Sequence, residues 1–343
     1  MADRQKFREV LHVLLPEIRE DLSQRGVPST ANKRVEQCLI ANTDGGKLHR
    51  GLTVVDTGGG LLQQPLNPTE FLDLSILGWL TEIFQASYLI WDDIMDNSEY
   101  RRGRLCWYRQ DNVGRAAIND AALLRSLIYI LLRKHFRHHP EYFGMLELFN
   151  EAGLRTELGQ LSDMDTALRD HSLEDMTVET YSFITANKTA FYSFCLPVSL
   201  ALHYFQLASK DNLEQVQRIL LPMGEYFQVQ DDYLDVFGDP SVTGKVGTDI
   251  RDNKCTWLIV QALRHCNTEQ QQELSLSYGR QTNLAEAKVK RVFQDLGLER
   301  LYQEYEQKKI WELQNIISTV NEVNGLKKAV FQIALGKILR RKS

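Results

Sequence analysis

The chain has 343 residues, 43% hydrophobic and 25% charged, which is ordinary globular composition and enough chain to bury a sizeable core. A formal net charge of −5 excludes a general basic surface for nucleic acid or anionic lipid, so any basic function is local. The cysteines Cys38, Cys106, Cys195, Cys255 and Cys266 show neither C-x-x-C nor Cys/His metal spacing, and read as reduced structural thiols of a cytoplasmic protein.

The first residues, Met1-Ala2-Asp3-Arg4-Gln5-Lys6-Phe7, lack the apolar core of a signal peptide and carry acid where a transit peptide is acid-poor. No apolar run reaches the roughly 18 residues that a membrane span needs. The nearest, Leu123 to Leu132, is interrupted by Arg125. Apolar residues recur at helical spacing through most of the chain and strand-like alternation is scarce, so the fold is expected to be all-α. Prolines fall mostly at helix boundaries, while Pro197 and Pro222, inside apolar stretches, either bound a helix or kink one. Loops are expected at Asp44-Gly45-Gly46, at Gly58-Gly59-Gly60 and at Gly238-Asp239-Pro240-Ser241, none with the spacing of a phosphate loop.

After Asn67-Pro68-Thr69-Glu70 the positions Phe71, Leu74, Leu77, Leu80, Ile83 and Phe84 repeat at three- and four-residue steps toward Asp92, which predicts one long helix. A second is predicted from about Leu213 to Asp235. No short-period repeat or low-complexity linker interrupts the chain, so a single domain spanning 1–343 is expected.

Both predicted helices end on carboxylates. Asp92, Asp93 and Asp96 are spaced i, i+1, i+4, and Asp231, Asp232 and Asp235 repeat that spacing. On a helix, i and i+4 share a face and repel unless a cation lies between them. A lone charge run is usually a solvated face, but two such clusters, each behind an apolar stretch, point to metal. Oxygen donors without histidine or cysteine suit Mg2+, with Mn2+ or another divalent ion as the alternative, and argue against zinc. Because Mg2+ takes its remaining ligands from water and substrate phosphates, the substrate should be a phosphate or diphosphate. Bases stand nearby in sequence: Arg101-Arg102, Lys245, Lys254, and Lys47 and Arg50 in Gly45-Gly46-Lys47-Leu48-His49-Arg50. Any one of them is an ordinary surface charge; together they suggest two diphosphates, one bound through metal and one directly.

These residues resemble the short-chain trans-prenyl diphosphate synthases, and within them the farnesyl diphosphate synthases of animal, insect-like type. The match runs from about Gly45 to the basic C-terminus. It includes Gly46-Lys47-x-x-Arg50, Gln85, Asp92-Asp93-Ile94-Met95-Asp96, Arg101-Arg102-Gly103, Cys106-Trp107-Tyr108 and Thr156-Glu157-Leu158-Gly159-Gln160. It continues through Lys188-Thr189-Ala190-Phe191-Tyr192, Phe227-Gln228-x-Gln230-Asp231-Asp232 and Gly244-Lys245-x-Gly247-Thr248-Asp249. The resemblance implies a helical bundle around a central cavity, with the two Asp clusters facing each other across its mouth, and a homodimer.

It also implies site roles. Three Mg2+ ions held by Asp92, Asp96 and Asp231, with Asp93, Asp232 and Asp235 assisting, would bind an allylic diphosphate, and Arg102, Lys188 and Lys245 would stabilise its departure, with Lys254 also on the substrate. The carbonyl of Lys188 and the side-chain oxygens of Thr189 and Gln228 would face the allylic cation. Isopentenyl diphosphate would lie on Lys47, Arg50, Gln85 and Arg101, with Arg340-Arg341-Lys342 either closing over it or forming a basic tail.

Residues four and five positions before Asp92 lie roughly 6 to 7.5 Å down the helix, where they can floor a product pocket. The family usually has two aromatics there; this chain has Ser87 and Tyr88, and Trp91 replaces a small residue next to the cluster. Asn187, Arg251 and Gly58 to Gly60 are further departures. A terpene synthase that ionises a finished prenyl diphosphate, and a non-catalytic partner subunit, are the competing readings. The intact clusters and the retained Lys47, Arg50, Gln85 and Arg101 favour chain elongation.

Overall fold

A computed structural model describes residues 2–168, 173–239 and 247–340. Its helices in chain order are α1 Arg4–Gln24, α2 Ser29–Thr43, α3 His49–Leu62, α4 Pro68–Met95, α5 Ala117–Phe136, α6 Tyr142–Leu168 and α7 Val178–Ile184. A π-helical segment, Thr185–Cys195, leads into α8 Leu196–Tyr204 and α9 Lys210–Phe237. Then come α10 Trp257–His265, α11 Thr268–Ser277, α12 Asn283–Asp295, α13 Leu298–Ser318 and α14 Lys328–Leu339. Among the described residues the strands are two short ones, β1 Tyr100–Arg101 and β2 Arg104–Leu105, paired as an antiparallel hairpin. No described helix is long and apolar enough to cross a membrane.

The chain divides into two compact units. The first comprises Met1–Glu151, Cys195–Val216 and Val320–Ser343, and α4 is its axis, with α1, α2, α3, α5 and α8 all packed against it. The start of α4 follows from its sequence. Asn67 and Glu70 exchange side-chain and backbone hydrogen bonds in a capping box, and Pro68 occupies the first turn, where its missing N–H costs nothing. Leu74, Ile76, Leu77, Trp79, Leu80, Ile83 and Phe84 are then buried on several sides of the helix, as an axis requires.

Gly58, Gly59 and Gly60 do not form the expected loop: they lie inside α3. Glycine disfavours helix by about 1 kcal/mol per residue, and here tertiary packing overrides that preference. A Cβ on Gly58 would clash with Leu74 of α4, and one on Gly60 would come within 3.4 Å of Ile333 and Val330 of α14. Similarly Gly51 and Gly78 let α3 and α4 cross backbone to backbone. Pro197 stands in the first turn of α8, whereas Pro222 lies within α9.

The second unit comprises Ala152–Phe194 and Gln217–Thr319. Its core gathers Val229 from α9, Ile250, Trp257 and Leu258, with Tyr278, Val289, Phe293, Leu298 and Tyr302 from the following helices. α9 begins three residues before the expected Leu213 and ends two after Asp235. The π-helical segment carries Lys188 and Thr189, and such wide turns are frequent at functional sites.

The glycines separate cleanly into tight and open positions. Nothing lies within 4 Å of a Cβ at Gly59, so Gly59→Ala should raise stability by about 1 kcal/mol. At Gly51 a Cβ would stand 2.6 Å from Phe7 and 2.9 Å from the Gly78 carbonyl, so Gly51→Ala should cost roughly 1–3 kcal/mol. Thermal melts of the two variants test the pair; equal shifts would contradict the packing argument.

Candidate active site

The first carboxylate cluster is the last turn of α4. Asp92 and Asp96 are partly exposed, but Asp93 is only 2% exposed. Its partner comes from the hairpin, whose two-residue turn places both Arg102 (φ 53) and Gly103 (φ 73) in the left-handed region. Arg101, just before that turn, donates from Nε to Asp93 Oδ1 at 2.6 Å and from Nη2 to Asp92 Oδ2 at 3.1 Å. Burial raises the Asp93 carboxyl, and the Arg101 guanidinium works against that rise.

Arg102 goes elsewhere. Its guanidinium donates to the Asn42 carbonyl at 3.2 Å and covers Gly46, where a Cβ would stand 2.8 Å from Nη1. Adjacent in sequence, the two arginines thus part: Arg101 lies with Asp92 and Asp93, and Arg102 lies against Gly46.

Lys47 and Arg50 straddle the start of α3. Leu48 offers no side-chain cap, and its place is filled by Glu82 from α4, which accepts from the Gly51 N–H at 2.7 Å and from the Arg50 N–H. Burial raises Glu82, opposed by these amides and by Arg50 and Arg102. Glu82 thus takes the Arg50 and Gly51 amides that would otherwise face an anion at this helix terminus. Burial, with the charges of Lys337, Lys47, Arg50 and Arg4, pushes His49 down to about 4, so it is neutral at physiological pH. Lys337 of α14 is itself fixed to α3 by Asp56 at 2.7 Å and Thr53 at 3.0 Å. Gln85 is buried one turn beyond Glu82 on α4. Glu82 was missed in the sequence, although an acid inside the apolar stretch Leu80 to Phe84 is a visible signal.

In the second unit, Lys188 and Lys254 converge on one carboxylate. Their Nζ atoms donate to Asp163 Oδ2 at 2.6 Å and 2.9 Å, so that two cations share one carboxylate oxygen. Gly159, one turn earlier on α6, has no room for a Cβ because the Lys188 backbone lies against it. Burial alone would raise Asp163, but Lys188 and Lys254 outweigh it and hold the carboxyl at about 2. Asp163 was not singled out from sequence; the buried polar stripe Thr156, Gln160, Asp163 and Thr166, at i, i+4, i+7 and i+10, is the signal that could have found it. Asn253, at φ 54, ties the backbone before Lys254 to the Ala167 carbonyl, and Tyr278 donates to the Lys254 carbonyl at 2.7 Å. Lys245, Arg341 and Lys342 lie outside the described residues.

Of the second carboxylate cluster, Asp231 and Asp235 are partly exposed and Asp232 is buried. Asp235 accepts from the Asp249 N–H at 3.1 Å, and Gly247 presses its backbone on the Asp235 carbonyl. Asp232 accepts from the Tyr181 hydroxyl, the Trp257 N–H and the Gln228 amide, and Gln228 in turn accepts from Thr189. Asp93 and Asp232 are thus committed to the protein. Asp92 and Asp96 in the first unit, and Asp231 and Asp235 in the second, are the partly exposed members of their clusters, with Asp92 also accepting from Arg101 and Asp235 from the Asp249 N–H. Among the described residues no three His, Cys or carboxylate side chains form a metal site by themselves. Carboxylate oxygens without nitrogen or sulfur donors fit Mg2+, which takes further ligands from water and a diphosphate.

Upstream of Asp92, Ser87 is buried and donates back to the Phe84 carbonyl at 2.8 Å. Phe84, Tyr88 and Trp91 form a ladder of rings, with centroids 4.6 Å and 5.3 Å apart, and the Trp91 indole N–H reaches the Ile118 carbonyl. The Arg125 guanidinium from α5 lies over the Tyr88 ring at 5.8 Å. Of the other departures, Arg251 pairs with Glu286 at 2.6 Å and Asn187 donates to the Phe183 carbonyl.

A family model described as Polyprenyl synthetase matches residues 32–296. The farnesyl pyrophosphate synthase of Schizosaccharomyces pombe is 45% identical over 98% of both chains, and that of Gallus gallus is 43% identical over 98% of this chain and 93% of its own. A Trypanosoma brucei farnesyl diphosphate synthase complexed with bisphosphonate superposes with a TM-score of 0.92 over 99% of both chains at 31% identity. The chain belongs to the farnesyl diphosphate synthase family and has its all-helical fold. Fungal and avian relatives are nearly equally similar, so the likeness reaches the family rather than an insect type.

Asp163→Asn would remove the carboxylate that Lys188 and Lys254 share and should destabilise the protein by about 3 kcal/mol. Because the Asp163 carboxyl falls from 3.8 to about 2 on folding, its stabilisation is complete above about pH 4 and fades as pH drops toward 2. The stability gap between wild type and variant should therefore close on acidification. Denaturant melts across that range check it; a gap independent of pH would refute the pairing.

Proposed function

We propose that the chain is a Mg2+-dependent trans-prenyltransferase that condenses isopentenyl diphosphate with dimethylallyl or geranyl diphosphate to give farnesyl diphosphate. The observation that carries this reading is the presence of two separate sets of bases, Lys47, Arg50 and Arg102 in one unit and the Lys188–Lys254 pair on Asp163 in the other. An enzyme that only ionised a finished prenyl diphosphate would need one set. We also read the chain as a single catalytic domain.

Isopentenyl diphosphate is assigned to Lys47, Arg50, Arg102 and Gln85, and the allylic diphosphate to Arg101, Lys188, Lys254 and Lys245, with Asp92, Asp96 and Asp231 as the principal ligands of three Mg2+ ions. This exchanges the expected places of the two arginines, because Arg101 already contacts Asp92 and Asp93. Bound Mg2+ supplies Lewis-acid charge neutralisation at the diphosphate. The lysines and Arg101 stabilise the same oxygens as the carbon–oxygen bond breaks and its electron pair leaves with diphosphate. The Lys188 carbonyl, Thr189 and Gln228 stabilise the allylic cation. The alkene of isopentenyl diphosphate attacks that cation to form the new carbon–carbon bond, and a proton then leaves to the released diphosphate.

Tyr88, packed between Phe84 and Trp91, is assigned as the stop for chain growth, compensating for the small Ser87. Leu154, Leu158 and Leu161, exposed on one face of α6, are assigned to a homodimer interface. The free cysteines support a reducing, cytoplasmic setting.

With Mg2+ and both substrates, prenyl alcohols should appear only after phosphatase treatment; volatile terpenes beforehand, with isopentenyl diphosphate unconsumed, would overturn the assignment. Asp92→Ala and Asp231→Ala should each lower kcat on the order of 10³-fold without unfolding the protein. Tyr88→Ala should lengthen the product, read by chromatography of the alcohols. Leu158→Arg should shift the mass in solution from dimer to monomer.

A further inference from the structure

Gln228 and Thr189 can stabilise a cation only if their oxygens, and not their protons, face it, and each side chain can present either. A glutamine amide has an acceptor end and a donor end of nearly the same shape, and a threonine hydroxyl has one proton and two lone pairs. The second unit contains a chain of hydrogen bonds that removes this freedom. Tyr181 donates to Asp232 Oδ2 at 2.7 Å and the Trp257 N–H to the same oxygen at 2.8 Å; the other oxygen accepts from Gln228 Nε2 at 2.9 Å. Thr189 then donates to Gln228 Oε1 at 3.0 Å.

We infer that Asp232, fixed by Tyr181 and the Trp257 amide, is a positioning residue that sets the polarity of the Gln228–Thr189 pair, rather than a ligand of the metal. With Oδ2 taken by the Tyr181 hydroxyl and the Trp257 N–H, Asp232 meets Gln228 through Oδ1 as an acceptor, so it selects the NH2 end of Gln228 and turns Oε1 toward Thr189. That oxygen takes the hydroxyl proton, leaving the Thr189 lone pairs outermost. The reversed amide would set Oε1 against the Asp232 carboxylate, and its NH2 would make Thr189 an acceptor with its proton pointing outward, toward the cation. Burial makes the constraint strong: Asp232 is 2% exposed and Tyr181 4%, so water cannot replace a lost partner.

The inference rests on the proposed transferase reading, and the test separates the two. Turnover of both substrates by the wild-type enzyme decides the reading. The inference is decided by binding, measured by calorimetry with Mg2+, of two allylic diphosphate analogues, one carrying a protonated amine at the cationic carbon and the other its neutral isostere. In Asp232→Asn the new amide donates to Gln228 and reverses it. The cationic analogue should bind about tenfold or more weakly, while the neutral one and the Mg2+ requirement stay nearly unchanged. Adding Gln228→Glu to Asp232→Asn restores an acceptor on each side of the chain, conserves charge, and should recover the cationic analogue. Equal loss of both analogues, a raised Mg2+ requirement, no loss at all, or no recovery in the double variant would overturn the inference. Should Asp232→Asn not fold, Tyr181→Phe keeps the ring and carries the same test: a loss of about threefold confined to the cationic analogue supports it, and an equal loss or none overturns it.

Discussion

A buried carboxylate must be compensated within the protein, and that constraint organises the functional groups of this chain. An ionised carboxyl withdrawn from water without partners is too costly to keep. Four buried acids answer this in four ways. Asp163 takes two ammonium groups, Asp93 takes a guanidinium, Glu82 takes backbone amides at a helix terminus, and Asp232 takes a phenol, an amide N–H and a carboxamide. In each case the partner, or a residue beside it, is one assigned to substrate.

The same constraint explains why the repeated Asp-Asp-x-x-Asp pattern has two kinds of member. At the end of a helix, positions i and i+4 share a face while i+1 turns about 100° away. When the helix is largely buried, the i+1 carboxylate is driven inward and has to be satisfied there, as Asp93 and Asp232 are. The outward members stay partly exposed. On the proposed reading, the six aspartates serve two purposes, metal ligation by the outer ones and positioning by the inner ones.

Backbone approach is the second requirement, and glycine supplies it. Gly159 lets α6 reach the Lys188 backbone so that Asp163 meets both lysines, and Gly51 and Gly78 let α3 and α4 cross so that Glu82 can reach the start of α3. A methyl group at any of these positions would displace a charged group as well as a helix.

The sequence by itself determined the helical class, the long α4 with its Asn67–Glu70 cap, the placing of both carboxylate clusters at helix ends, and the diphosphate chemistry, because these depend on short-range periodicity and on residue type. Tertiary structure decided the rest. Gly58 to Gly60 became helix because neighbouring side chains occupy the space of their missing methyls. Arg101 and Arg102, adjacent in sequence, parted because a tight turn at Arg102-Gly103 sends one to Asp93 and the other to Gly46. Asp163, Glu82 and Tyr181 acquired their parts through partners from 25 to 91 residues away along the chain, which local spacing does not encode.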